Sequence, residues 1–225
     1  MQFIEWSVIG LRSARHVFTH PESDTTVTIF PMIHVAAASF YDAVYTDAAS
    51  HDVVVCEGVK SPVVRRLTRA YRWIKPERLG LVIQPAFDPQ NASKVLGDLS
   101  REEFEKLWQS VHWKYRIFLT FMSGVTGFWQ SRVSTRSSLG KELGTTDRLS
   151  RDEALSWDEG FEPIRQAILV QRDLALCGAV KDQIDTGSKT IAVIYGARHM
   201  DALTKFLKGE GFRPTGSEWM TVFTA

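Results

Sequence analysis

Two cysteines in 225 residues exclude most cysteine-based architectures. Cys56 lies inside an apolar run and Cys177 inside a helical pattern, with neither metal-ligand spacing nor a basis for a disulfide. Both read as small core residues of a protein kept in a reducing compartment. Charge of one sign is also lacking. Lys and Arg number 27 against 26 Asp and Glu, and a net charge of +1 argues against a general nucleic-acid binder. No long hydrophobic run is present. The longest uncharged stretch, IFLTFMSGVTGFWQS at 117–131, holds 15 residues and two glycines, short of the roughly 20 that a membrane-spanning helix needs. The N-terminus lacks a basic start followed by an apolar block, because Glu5 interrupts it early. A secretory signal is therefore not expected, and the protein reads as cytoplasmic. There is no internal repeat and no low-complexity tract.

What remains is an ordinary globular composition, 44% hydrophobic and 24% charged, long enough for one domain with a real core. HVFTHPESDTTVTIF reads as two strands around a polar turn at Pro21–Asp24. SFYDAVYTDAA follows as a helix with Ser39 as candidate N-cap, and DVVVCEG as a short buried strand. SPVVRRLTRAYRWI opens a helix with an N-cap serine and proline at the first helical position. LGLVIQP and SKVLGD are further strand candidates, and Ser100 with Glu103 forms a capping box. The helical pattern then continues through the uncharged run, where Trp113, Phe121 and Trp129 read as core packing, with a dimer interface or a lid as alternatives. Residues 131–149 are rich in Ser, Thr and Gly and read as a loop, before a second capping box at Ser150 and Glu153. EPIRQAILVQRDLALCGAVKDQI is a long helix, TIAVIYG a buried strand, RHMDALTKFLKGEG a helix closed by glycine and SEWMTVFTA a last strand. Strands alternating with helices at both ends of the chain predict one α/β domain over residues 1–225. Its central sheet is mixed but largely parallel and flanked by helices, with a helical insertion at about 100–160.

On this pattern three residues able to bind metal fall at the C-terminal ends of strands. His34 follows TIFPMI, Glu57 follows DVVVC, and His199 lies just past TIAVIYGA. In a parallel sheet those ends share one rim, where ligands of open α/β folds bind. Two imidazoles and a carboxylate are a common ligand set for a first-row divalent ion with an open water position. Each residue also has a blander reading, a structural histidine or a glutamate paired with a cation or a helix dipole. Arg172 and Arg198 read as anion binders or as ion-pair partners of Glu57 and Asp173. Asp98 reads as a further ligand, an acceptor for a histidine N–H, or a helix cap. His16, His20, His51 and His112 lack the strand-end placement and read as surface or core residues. Residues 60–78 carry seven basic residues against one acidic, Glu77, with Tyr71 and Trp73 interleaved. This is either a solvated helix face or a surface for anionic lipid, nucleic acid or an acidic partner.

IHVAAASFYDAV, HDVVVCEGVKSPVVRRL and YGARHMDALTKFLKGEGF together resemble the TraB/PrgY/Tiki family. That family pairs two Gly-x-x-His motifs with a strand-ending glutamate, a following arginine, and an Arg-Asn or Arg-Asp step in a helix. GARH, Gly196 to His199, matches the second motif; PMIH keeps His34 but has Pro31 where the family has glycine. Arg65 or Arg66 stands as the following arginine, VQRDLAL supplies Arg172 and Asp173, and VLGDLSREEF is a further similar stretch centred on Asp98. The resemblance implies a sheet flanked by helices, related to erythromycin-esterase-like folds. It also implies a hydrolase dependent on a divalent metal (manganese, cobalt or zinc) and acting on a peptide or ester bond. The site residues would be His34, Glu57 and His199 as ligands, with Glu57 or Asp98 taking a proton and Arg198 or Arg172 stabilising an oxyanion. Two other readings stand beside this one. The same scaffold could sequester a peptide or small ligand without turning it over. Or its basic helix and aromatic segment could dock on a membrane or partner, with a homodimer among the assemblies open to it.

Overall fold

The computed structural model describes residues 1–68, 75–89, 92–146 and 162–225. Three β-branched or apolar runs form the centre: β3 (Thr26–Met32), β5 (Val53–Cys56) and β8 (Thr190–Gly196), each buried nearly throughout. Burial on both faces is what continuous Val/Ile/Phe runs predict for parallel strands covered by helices. With β7 (Ser93–Leu96) they pair in the order β3-β8-β5-β7, every ladder parallel. An antiparallel margin continues the sheet. β2 (Gly10–Thr19) uses one edge to pair β1 (Ile4–Ser7) and β3, and the other to pair β9 (Arg213–Thr224). A separate two-stranded ladder joins β4 (Val35–Ala36) to β6 (Val82–Ile83). The protein is thus mixed α/β with a mostly parallel central sheet.

Helices α1 (Ala38–Ala48), α2 (Pro62–Leu67), α3 (Arg101–Ser110), α4 (Trp113–Val133) and α5 (Arg136–Thr146) follow in the chain. α6 (Glu162–Arg165), α7 (Gln171–Asp185) and α8 (Met200–Gly209) complete the described α-helices. Between β7 and β8 the described elements are all helical, as expected for the middle of the chain. Local signals placed two of these starts. Ser61 accepts from the Val63 N–H with Pro62 at the first helical position, and Ser100 and Glu103 close their capping box in both directions.

Several expectations are corrected. α1 begins at Ala38 with Ala37 as its N-cap and no side-chain cap, so Ser39 lies inside the helix. The Ala37 N–H instead donates to the Val222 carbonyl at 2.9 Å, so a strand, not a serine, fixes this entry. LGLVIQP contributes only the two residues of β6. The helix expected over 162–184 contains a π-helical turn, Gln166–Val170. Much of the stretch expected as a loop is α5, and its glycines have a packing purpose. A Cβ on Gly140 would overlap the Trp6 ring, and one on Gly144 would lie 2.7 Å from the Trp6 Cβ. The capping box at Ser150 and Glu153 lies outside the described residues, as do Arg69, Tyr71 and Trp73.

Pro31 sits inside β3, where a missing N–H is usually costly. Its carbonyl accepts from the Ser13 hydroxyl at 2.6 Å, which places its nitrogen on the same, β2-facing edge. The β2–β3 ladder ends at Ile29, so no strand N–H is required there.

Candidate functional site

The parallel strands all deliver their C-terminal ends to one rim, and a cavity of about 380 Å³ opens on it. His34, Glu57, Arg172, Arg198 and His199 all line it. Residues far apart in the chain therefore converge, as the strand-end placement predicts.

Glu57 follows β5. Its Oε2 accepts from the Gly196 N–H at 2.7 Å and its Oε1 from Arg172 at 2.6 Å. A Cβ on Gly196 would lie 3.0 Å from Glu57 Oε2 and 3.6 Å from His199 Cδ2, so glycine admits both groups to one narrow space. Burial raises the Glu57 carboxyl pKa, but the positive charge of Arg172, and of His34 and His199 when protonated, outweighs it. The net result is a depression to about 2. Glu57 is ionised at neutral pH.

Arg172, on α7, is shared. Its Nε donates to Asp98 Oδ1 at 2.9 Å and its Nη2 to Asp98 Oδ2 at 2.6 Å, besides the bond to Glu57. Asp98 follows β7 with a fully buried side chain and also accepts from the N–H groups of Gly58 and Leu99. The structure gives Asp98 a part outside the three readings for it, as an ion-pair partner of Arg172. Asp98 bonds no histidine, and α3 is capped by Ser100. Arg172 and Asp173 are adjacent on a helix, where neighbouring side chains diverge by about 100°. Asp173 thus faces elsewhere and pairs with His199 Nδ1 at 2.7 Å. An ionised carboxylate only accepts, so Nδ1 carries the hydrogen, and in the neutral ring Nε2 carries the lone pair. His199 is 5% exposed, and Tyr195 lies edge-on to it with ring centroids 4.8 Å apart. His34 Nδ1 pairs with Gln84 Oε1 at 3.1 Å.

Arg198 does not pair with Glu57 or Asp173. It is exposed at the pocket, with no ion pair or hydrogen bond among the described residues. Arg65 and Arg66 are exposed on α2 and are not among the pocket residues. His16 and His51 are structural, bonded to the Gln2 carbonyl and the Thr28 hydroxyl respectively. Sequence reasoning missed Gln84, the lining residues Leu139, Glu142 and Leu143 of α5, and Tyr195. The Tyr195 hydroxyl is buried and has no hydrogen-bond partner among the described residues. Nothing local marks Gln84, which reaches His34 only through the short β4–β6 ladder.

The donor chemistry meets a metal part of the way. Each imidazole is anchored through Nδ1, which is how metal-binding histidines are oriented. Two carboxylates, Glu57 and Asp98, share the one guanidinium of Arg172 while a third, Asp173, faces His199, and this excess of negative charge suits a cation. Against this, both Glu57 oxygens already accept hydrogen bonds, and no three His, Cys, Asp or Glu groups among the described residues are arranged to hold an ion. No family model, curated protein or solved structure matches the chain.

Proposed function

We propose that the protein is a hydrolase of the TraB/PrgY/Tiki type that opens a peptide or ester bond in the strand-end pocket. The observation that carries the proposal is the meeting of two anchored imidazoles and an ionised carboxylate at one cavity. His199, held by Asp173, is the base. Nε2 takes the proton of the attacking water, and Asp173 stabilises the imidazolium that forms. Arg172 keeps Glu57 ionised and aimed, and as a positioning residue it commits Nε and Nη2 to Asp98 and Glu57. Arg198 is the cation left to meet the negative charge that develops on the carbonyl oxygen.

A divalent ion (manganese, cobalt or zinc) would be held by the Nε2 atoms of His34 and His199 with Glu57 beside them, and His199 would then be a ligand and not the base. Bound there, the ion would supply a water of lowered pKa and a polarised carbonyl. The second reading, sequestration of a peptide or small molecule without turnover, is favoured by the engagement of both Glu57 oxygens, and of Nε and Nη2 of Arg172, within the protein.

One experiment separates these readings. Metal content is measured on protein never exposed to chelator, and a panel of peptides and esters is assayed with and without chelation. Under the hydrolase reading His199→Ala lowers kcat by about 100-fold or more, and Asp173→Asn lowers it with KM little changed. Loss on chelation with recovery by one metal assigns the ion a role, and activity indifferent to chelation assigns the chemistry to His199 alone. Saturable binding with no turnover anywhere in the panel overturns the hydrolase reading.

A further inference from the structure

The pocket has a second half that the chemistry proposed for it does not use. Beside its charged and imidazole groups it is walled by apolar side chains from three parts of the fold. On α5, Leu139 and Leu143 lie four residues apart on one helix face. Gly140 and Gly144, on the adjoining face, seat that helix against Trp6, which turns the two leucines toward the strand-end rim. In the π turn, Ile168 and Leu169 come one turn before Arg172. Ile33 and Val35 flank His34 in the chain. Leu139, Leu169, Ile33 and Val35 are buried, and Leu143 and Ile168 half-buried. None of these side chains offers water a hydrogen-bond partner.

The wall identifies what fills it. Water in such a space loses hydrogen bonds, and an apolar group that displaces it gains affinity. A charged group placed there would give up its hydration with no partner on the wall. The two exposed charges that line the pocket, Glu142 and Arg198, are of opposite sign, so neither sign of charge is selected where it opens. At about 380 Å³ the cavity lies near the lower end of the roughly 300–1,000 Å³ typical of small-molecule sites, room for one side chain and the bond beside it. We propose that this half of the pocket is a specificity subsite for a neutral, bulky apolar group attached next to the scissile bond. The group is a side chain the size of leucine or phenylalanine, or an acyl or alkyl chain of similar size. Ile33 and Val35 bracket His34, and Ile168 and Leu169 precede Arg172, so the apolar wall and the polar groups share backbone. Filling the one therefore holds a carbonyl against the other. The inference rests on the reading of this cavity as the place where substrate is held and opened.

Two ester series test it on the full chain: methyl esters from acetate to hexanoate, and alkyl acetates from methyl to pentyl, with hydrolysis followed by proton release. Burying a methylene is worth about four-fold in affinity, so kcat/KM should rise by about that factor per methylene in at least one series, and by about 100-fold or more from its first member to its last. Monomethyl succinate, charged at the far end, should be a poorer substrate than methyl pentanoate of similar length. Leu143→Trp and Ile168→Trp fill the space, and each should lower the preference for the longest ester over the shortest by at least about ten-fold. That preference is a ratio within one protein, so a loss of folded material does not move it. Level or falling kcat/KM along both series overturns the proposal, as does a ratio that both substitutions leave unchanged. Absence of turnover with every ester sinks the hydrolase reading alone. The subsite is then judged by calorimetry with butan-2-one, hexan-2-one and octan-2-one, which keep a carbonyl but have no bond to hydrolyse. Affinity that rises about four-fold per methylene upholds it, and affinity indifferent to chain length overturns it.

Discussion

Glu57 shows how a single side chain reports on the whole site. Its carboxyl titrates near 4.5 in an unfolded chain and is depressed to about 2 here, so the folded state binds fewer protons. The stabilisation this gives is fully present above pH 4.5 and is lost as pH falls through the window from 4.5 to 2. Glu57→Gln should therefore flatten the acid limb of a stability–pH profile measured by urea unfolding. A variant whose limb is as steep as the parent's would mean the depression is not real. Gly196 is the companion case. Its φ is negative, so the need for glycine is one of space and not of backbone strain. Gly196→Ala places a methyl 3.0 Å from Glu57 Oε2 and should displace the carboxylate. Ligand binding or turnover should fall at least about ten-fold, while the melting temperature drops by only a few degrees, as for about 1 kcal/mol. Equal function in both proteins would show that Glu57 tolerates displacement.

At the level of elements, the local signals that worked were chemical and short-range. Ser61 with Pro62, and Ser100 with Glu103, satisfy backbone donors that any helix start exposes, so they are readable without a partner. α5 defeated the same approach because Gly140 and Gly144 look like loop residues until Trp6 is placed against them. Glycine costs about 1 kcal/mol in a helix, and here that cost admits an indole to the backbone. Gly140→Ala should raise helix propensity yet destabilise the protein by about 1–3 kcal/mol, seen as a lower urea midpoint at unchanged slope. Trp6→Ala in the same chain should make the alanine neutral or favourable; a loss that persists there would mean the glycine acts elsewhere. The π turn at Gln166–Val170 is another element that periodicity does not show. It inserts just before Arg172 and Asp173 and so sets the rotation at which both leave α7.

Across the whole molecule, Arg172 joins three parts. It binds the residue after β5, the residue just beyond β7, and its own helix, with a side chain only 12% exposed. Arg172→Ala would leave two carboxylates facing each other without a counter-charge. The expected loss is about 3–5 kcal/mol, read as a lower urea midpoint at neutral pH. Asp98→Asn in the Arg172→Ala background should restore part of it, and strict additivity of the two changes would deny the pairing.

The sequence by itself determined the class of the central strands and of most of the longer helices from hydrophobic period and caps, α5 excepted. It also determined the rim: a residue that ends a parallel strand must lie at the sheet's C-terminal edge, whatever packs around it, and His34, Glu57 and His199 follow from that. It left open which cation meets which acid, and only the tertiary structure decided that Arg172 takes Glu57 and Asp98 while Asp173 takes His199. The physical reason is one of range. Period and capping act within a turn or two of chain, whereas an ion pair between α7 and a strand end depends on helix rotation, on a π turn, and on a glycine leaving room across the sheet.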